Sequence, residues 1–443
     1  MHCPTFLAPS ARALWAGLLA AVLAGPATAA RPAADWAACL QALRQELPPE
    51  LRAETFEQHA RDVADLREPI RQATASQPEF RLAVWDYLAR LVDDQREADG
   101  REVLAREAEA LASIAARHGV DAATVVAVFG VETDYGRVAG RHPVLAATLS
   151  RACLDLDSRE RRRHFYAALW LLQEGLVPAG DFRGSWAGAF GLTQFMPGTF
   201  VEHMDDGDGS GRVDILHSVP DALGTTANYL RRLGWDSTLP WGLEVRPDAA
   251  LAARWNALER DHACLGAGAP AGLCRRWADW AASGLRRADG AELPTLPPDT
   301  LAALLMPAGY DGPAWLVTRN YQAAWQYNRA DAYALAIGLL ADRLRGDPPP
   351  QRPWPTDDPA LSRSAFVELQ TLLQRRGHCE VEPDGRDGPR TRAAVAEQQR
   401  ALDLPVTGRA GATLLQALRD ALAAVEVGEG GDGAPTCLPA RTP

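Results

Sequence analysis

The sequence predicts a mainly α-helical protein: a large helical lobe, a proline-rich break, and a small module behind it. Three observations carry that prediction. Apolar residues recur at helical spacing from residue 35 to about residue 345, as in Leu104, Ala108, Leu111 and Ile114 or Phe165, Ala168, Leu169 and Leu172, whereas alternating strand patterns are few. Residues 347–359 cluster prolines, which disfavour helix and favour extended backbone, and so read as an interdomain linker. A chain of 443 residues, 47% hydrophobic and 23% charged, has a globular balance but is too long for one ordinary core.

Taken in order, residues 1–30 read as a secretory signal. Arg12 precedes an apolar stretch over residues 13–23 and the small-residue pattern Ala27, Thr28, Ala29, with cleavage expected after Ala29 or Ala30. The stretch is short for a membrane span, and Cys39, preceded by Trp36, Ala37 and Ala38, does not fit a lipobox. A soluble periplasmic protein is expected, with no membrane span in the mature chain. Loss of Cys3 with the signal leaves six of seven cysteines in an oxidising compartment. Cys264 and Cys274 flank a Gly/Ala/Pro-rich loop and are the easiest pair to close. Cys379 with Cys437 would tie the tail to the last module, and Cys39 with Cys153 follow by elimination. Zinc is not expected, since there is no Cys-x-x-Cys or nearby His pair.

Within the lobe, residues 205–214 read as a Gly/Asp loop and residues 241–246 as the best strand candidate. The net charge of -11 provides no basic stripe for phosphates, which excludes nucleic acid as a partner. Arg161, Arg162 and Arg163 read as a solvated helix face.

Glu132 follows the apolar run 125–131 and leads into the polar turn Thr133, Asp134, Tyr135, Gly136. A carboxyl at the end of a buried helix is desolvated, so its neutral form is favoured and its pKa is expected to rise toward that of a proton donor. Cleavage of a glycosidic bond requires such a donor. Hydrolytic glycosidases normally add a second carboxylate. Asp134 is the obvious candidate, but residues two apart on a helix point about 200° from each other and cannot flank one bond. A single acid is the preferred reading. In residues 185–197, glycines and alanines let backbone approach a polysaccharide, Ser185 and Gln194 offer neutral hydrogen-bond groups, and Phe195 and Met196 read as core. There is no nucleophile elbow, Walker loop, dinucleotide fingerprint or zinc helix.

The strings VETDYG (131–136) and AGAFGLTQFMP (187–197), in this order and at this separation, resemble the active-site signature of lytic murein transglycosylases of the soluble-lytic-transglycosylase B type, glycoside hydrolase family 103-like. The resemblance covers nearly the whole mature chain, with little of it in the first ninety residues. It implies a lysozyme-like helical catalytic lobe with a helical N-terminal extension. It also implies non-hydrolytic cleavage of the MurNAc-GlcNAc β-1,4 bond of peptidoglycan glycan strands, leaving a 1,6-anhydro-MurNAc end, in cell-wall turnover. Glu132 would protonate the leaving oxygen and then take the proton of the attacking C6 hydroxyl, while the 2-acetamido group stabilises the oxocarbenium-like state. By the same resemblance Ser185 and Gln194 map to the sugar cleft, and Tyr229, Tyr327, Asn328 and Tyr333 line the groove near the acid. No cofactor is required for this chemistry. The rival readings are a hydrolytic muramidase and a catalytically silent peptidoglycan-binding scaffold.

Asp206, Asp208 and Ser210 occupy positions 1, 3 and 5 of an EF-hand-like loop, with Gly211 at position 6 and Asp214 further along. Position 12 is His217 rather than Glu, and Asp221 could close an enlarged loop, as in some members of the family. A structural calcium site and a plain Asp/Gly turn both remain open. Beyond the linker, Leu369 and Gln370, residues 387–395 and residues 404–408 resemble the peptidoglycan-binding domain 1 module, a three-helix bundle. The chain has Gln398 and Gln399 where that family shows Phe-Gln. The expected organisation is signal 1–30, catalytic region 31–346, linker 347–360, wall-binding module 361–422 and a Gly/acidic tail 423–443 that lacks structure apart from any tether at Cys437.

Overall fold

Helical periodicity dominates the fold, and among the described residues it is interrupted by a two-stranded sheet, His142–Pro143 with Arg183–Gly184, and by a larger one that the sequence pattern conceals. The computed structural model describes residues 35–74, 82–251, 262–268, 270–385, 388–406 and 408–428. The expected signal and Cys437 lie outside the described residues. The chain divides into two compact units, Met1–Ser76 with Arg137–Thr225 and Gln77–Gly136 with Thr226–Pro443.

In the first unit the helices Trp36–Gln45, Ala53–His59 and Arg67–Thr74 pack with Val144–Leu154, Arg159–Gln173 and Pro197–His203. Aromatic side chains from different elements meet edge to face, Phe56 on Phe165 and Phe190 between Phe182 and Phe200, which favours one packing over its neighbours. Cys39 and Cys153, expected as a pair, are bonded with their Cα atoms 5.6 Å apart and close a loop of 114 residues. Such a loop restricts the unfolded chain far more than a local bridge does.

In the second unit the helix Ala122–Thr133 is buried along almost its whole length. It packs against Asp331–Arg345 and Asp94–Arg106, and Val84–Leu91 covers Asp331–Arg345 in turn. A five-stranded antiparallel sheet follows, in the order Cys274–Arg276, Leu301–Leu305, Ala314–Val317, Gly242–Arg246, Arg286–Arg287. The strand expected near 241–246 is present. The others were not legible, because Leu301–Leu305 and Ala314–Val317 are buried almost throughout and so read as apolar runs without the period of two. Trp277 and Trp280 cap the sheet beside Val245, Leu304 and Leu316. Cys264 and Cys274 are bonded, as expected, with Cα atoms 6.4 Å apart.

The proline-rich segment is not a free spacer. Gln351 and Arg352 donate backbone N–H groups to the carboxylate of Glu244, and Trp354 packs between Trp85 and Trp315. Behind it, the helices Arg363–Arg375, Pro389–Ala401 and Ala412–Gly428 form a bundle around Phe366, Leu369, Leu373, Val395 and Leu418. The buried Gln398, where the module family carries an aromatic, is satisfied by His378 at 2.9 Å and Arg376 at 3.1 Å. Its polarity therefore leaves no unpaired group in the core. The last helix runs to Gly428, past the expected start of the unstructured tail, because the Ala- and Leu-rich sequence continues its favourable propensity. Arg409 of this bundle grips Asp86 with two hydrogen bonds of 2.7 and 2.8 Å and also pairs with Asp358.

Among the described residues no single helix is long and apolar enough to cross a membrane. The helices Ala108–His118 and Ala122–Thr133 pass that test only as a pair joined across a 110° bend.

Candidate active site

Glu132 stands on the last turn of Ala122–Thr133, and the turn beyond it is built to hold that position. Asp134, Tyr135 and Gly136 all take positive φ, so the chain leaves the helix through three consecutive left-handed residues. The ring of Tyr135 folds back over Gly130, where any Cβ would come within 2.6 Å of it, and its hydroxyl donates to the carbonyl of Arg96 at 2.8 Å. Glycine is required at 130 for that return. Arg96 closes the cage, with Nε on the Gly130 carbonyl at 3.1 Å and Nη2 3.3 Å from the Asp134 carboxylate.

Asp134 is thereby committed to structure. It is 4% exposed and paired with Arg96 and with Arg363 of the C-terminal bundle. The two-carboxylate arrangement of a hydrolytic glycosidase gains nothing from it.

Glu132 is half-buried, and its Oε1 accepts the hydroxyl of Tyr333 at 2.5 Å. Tyr333 comes from Asp331–Arg345, the helix packed along the acid helix, and is 2% exposed. Burial first, and the Glu132 charge second, push its pKa well above the ordinary value, so it stays a hydrogen-bond donor. Tyr327 stacks on Tyr333 with ring centroids 6.1 Å apart and an interplanar angle of 21°, and Tyr229 meets Tyr327 edge-on at 5.4 Å. The fold thus gathers Glu132, Tyr229, Tyr327 and Tyr333 from four helices. Asn328 follows Tyr327 at the exposed end of its helix.

Ser185 and Gln194 lie together in the loop of the other unit. Ser185 Oγ accepts the backbone N–H groups of Ala187 and Ala189 at 3.2 and 3.1 Å. Gln194 has a φ of 49° and donates to the Gly191 carbonyl at 2.8 Å. Both side chains shape the loop, whatever else they touch. Phe195 is buried and Met196 half-buried, with Phe190 and Phe195 bridged through their backbones.

Of the Gly/Asp loop, Asp206, Asp208 and Asp221 bring carboxylate oxygens within 4.8 Å of one another. Asp221 is 1% exposed and receives the amides of Gly207 and Asp214 at 2.8 and 2.7 Å. Burial raises its pKa, whereas hydrogen bonds from Ser210 lower that of Asp208. Asp214 caps the following turn through Leu216 and His217, and the hydroxyl of Ser210 donates to the Arg212 carbonyl. Neither Arg96 nor Arg363 was legible as part of the site, since nothing in an arginine-rich sequence distinguishes the two that cage the acid turn.

Residues 35–342 match the transglycosylase SLT domain and residues 362–418 a peptidoglycan binding domain. The chain is similar to Pseudomonas aeruginosa SltB3, solved in complex with NAG-anhNAM-pentapeptide, with 37% identity and a TM-score of 0.63 over 87% of this chain and 99% of that one. It is 34% identical over 125 residues to Escherichia coli membrane-bound lytic murein transglycosylase B, an alignment that spans 27% of this chain and only a third of that relative. Escherichia coli lytic transglycosylase Slt35, solved in complex with calcium, shares the fold at 21% identity and a TM-score of 0.56, over 69% of this chain and 92% of that one. With the SLT domain matched over most of its length and the binding module behind it, the chain belongs to the lytic murein transglycosylase family.

Proposed function

We propose that the chain cleaves the MurNAc-GlcNAc β-1,4 bond of peptidoglycan without water, leaving a 1,6-anhydro-MurNAc end, with Glu132 as its single acid and base. The observation that carries this reading is the contrast between Glu132 and Asp134. One carboxyl sits in a cluster of tyrosines, while its neighbour Asp134 is buried between two arginines. Glu132 protonates the leaving glycosidic oxygen, and the resulting carboxylate takes the proton of the C6 hydroxyl as that oxygen closes the anhydro ring. Tyr333 orients the carboxyl throughout, and Tyr229, Tyr327 and Asn328 contact the sugar beside it. Ser185 and Gln194 are further sugar-binding residues in this reading. The complex of SltB3 with an anhydro sugar carrying a pentapeptide supports both the product and a peptide-bearing substrate. The proton transfers call for no cofactor.

The same proposal includes export to the periplasm by residues 1–30 and wall binding by residues 362–418. It also includes a structural calcium held by Asp206, Asp208 and Asp221, a hard all-oxygen donor set whose buried member gains from a cation. Digestion of purified sacculi followed by mass spectrometry tests the reaction. The anhydro disaccharide is expected, and a product heavier by one water would establish a hydrolytic muramidase instead.

A further inference from the structure

We infer that an arginine-lined cavity on the helix carrying Tyr327 binds the carboxylates of the peptide attached to the glycan. The inference rests on the transglycosylase reading and adds a recognition element apart from the acid. The cavity, of about 520 Å³, opens along one face of Arg319–Asn328. Arg319, Gln322 and Gln326 recur every three or four residues and so form one stripe, and Arg329, the left-handed residue that ends the helix, lines the cavity with them. Arg232, at the end of the helix that supplies Tyr229, lines the same cavity. The other face of Arg319–Asn328 is buried through Asn320, Tyr321, Ala323 and Ala324, whereas on the cavity side Gln322 is buried and Arg319 and Arg329 are exposed.

Several features mark the cavity as built. Arg319 lies over the turn at Gly234, which has a φ of +99° and where a Cβ would come within 2.6 Å of Arg319 Nη2. The positive φ is what favours glycine at that turn. Gln322, 7% exposed, is held at its amide oxygen by His262 Nδ1 at 2.6 Å, and His262 Nε2 is held by Asp331 at 2.9 Å. The amide nitrogen of Gln322 is thereby turned toward the opposite wall at Gly266, in the loop closed by the Cys264–Cys274 bridge. Asp236, the acid that senses Arg319, already receives the hydroxyl and amide of Thr238 at 2.7 and 2.9 Å.

The spacing selects the ligand. Arg319 opens and Arg329 caps a helix of 10 residues, which is about 15 Å long. An extended peptide of five residues spans about 16–18 Å, so a peptide with an acidic side chain near one end and a free carboxyl terminus at the other meets a guanidinium at each end. Guanidinium groups pair with carboxylates through two parallel hydrogen bonds. In a chain of net charge -11, a local cluster of cations is what allows an anionic peptide to dock.

Isothermal calorimetry on the full mature chain tests this with a free pentapeptide carrying two carboxylates and with its diamide. The acid form is expected to bind, and the diamide at least about tenfold more weakly, the consequence of losing one charge-assisted hydrogen bond. Arg319→Gln and Arg329→Gln should each weaken the acid form to a similar degree with unchanged melting temperature, and Arg319→Lys should restore part of the loss. Equal binding of acid and diamide, variants that bind like the parent, or no binding by the parent at millimolar peptide would overturn the inference. A parent that binds the peptide selectively yet releases no anhydro product from sacculi would sustain this site while removing the proposed reaction.

Discussion

Arg363, the first residue of the first helix in the C-terminal module, forms an ion pair with Asp134, two residues beyond Glu132. The module is therefore joined to the turn that positions the acid, with Arg409 on Asp86 as a second clasp. Arg363→Ala should lower stability by about 1 kcal/mol, below the cost of opening a fully buried pair, because the arginine side chain is 33% exposed and Asp134 keeps Arg96. It should also reduce kcat on short soluble glycan several-fold. Unchanged kcat alongside reduced stability would limit the contact to a structural role.

Truncation before residue 347 removes both clasps and the Trp354 packing. Activity should then fall on short soluble glycan as well as on intact sacculi, rather than on sacculi alone as simple tethering would give. Paired rate measurements on the two substrates separate these outcomes.

Glu132→Gln should preserve the fold and sacculus binding and abolish release of anhydro product. Loss of a general acid costs about 10²–10⁴-fold, and loss of a sole acid belongs at the upper end of that range. Residual turnover within tenfold of the parent would remove Glu132 from the role.

Tyr333→Phe keeps the stack on Tyr327 but deletes the hydroxyl held 2.5 Å from Glu132. A hydrogen bond to a charged group contributes about 1.5–3 kcal/mol, so kcat should fall roughly tenfold or more with KM nearly unchanged. A change confined to KM would assign the hydroxyl to sugar binding instead.

Calcium should raise the melting temperature of the parent by several degrees, since a ligand of the folded state adds about 2.7 kcal/mol at a hundred times its dissociation constant. Asp208→Ala should abolish the shift without loss of activity at low temperature. Thermal scans with calcium and with chelator decide it, and melting indifferent to calcium would reduce the loop to a turn.

His164 gives a pH dependence of known sign. It is buried, its Nδ1 accepts the Gly198 amide at 3.2 Å, and burial lowers its pKa below the ordinary 6.5. Above 6.5 both folded and unfolded forms are neutral. Below it the unfolded chain takes up the proton first, so stability should fall as the pH drops from 6.5 through the folded pKa. His164→Gln should flatten that part of the stability profile, as read from denaturation midpoints at successive pH values.

The sequence by itself determined the helical class and the place of Glu132 at the end of a buried helix, whereas Tyr229, Tyr327 and Tyr333 were expected beside it by family resemblance. The class and the place of the acid are local matters. Residues 125–131 must be buried because they are apolar on every side, Glu132 must therefore end a buried helix, and a polar turn follows it; that the turn is left-handed through Asp134, Tyr135 and Gly136 is a finding of the structure. Only the tertiary structure decided which charges hold that turn. Arg96 and Arg363 reach Asp134 from 38 residues before it and 229 after it, and arginine carries no mark of its partner in a chain that has many. The sheet was hidden for a related reason. A strand buried on both faces loses the alternation that identifies it, and its pairing partners, such as Leu304 and Leu316, are fixed by packing across the unit rather than by neighbours in sequence.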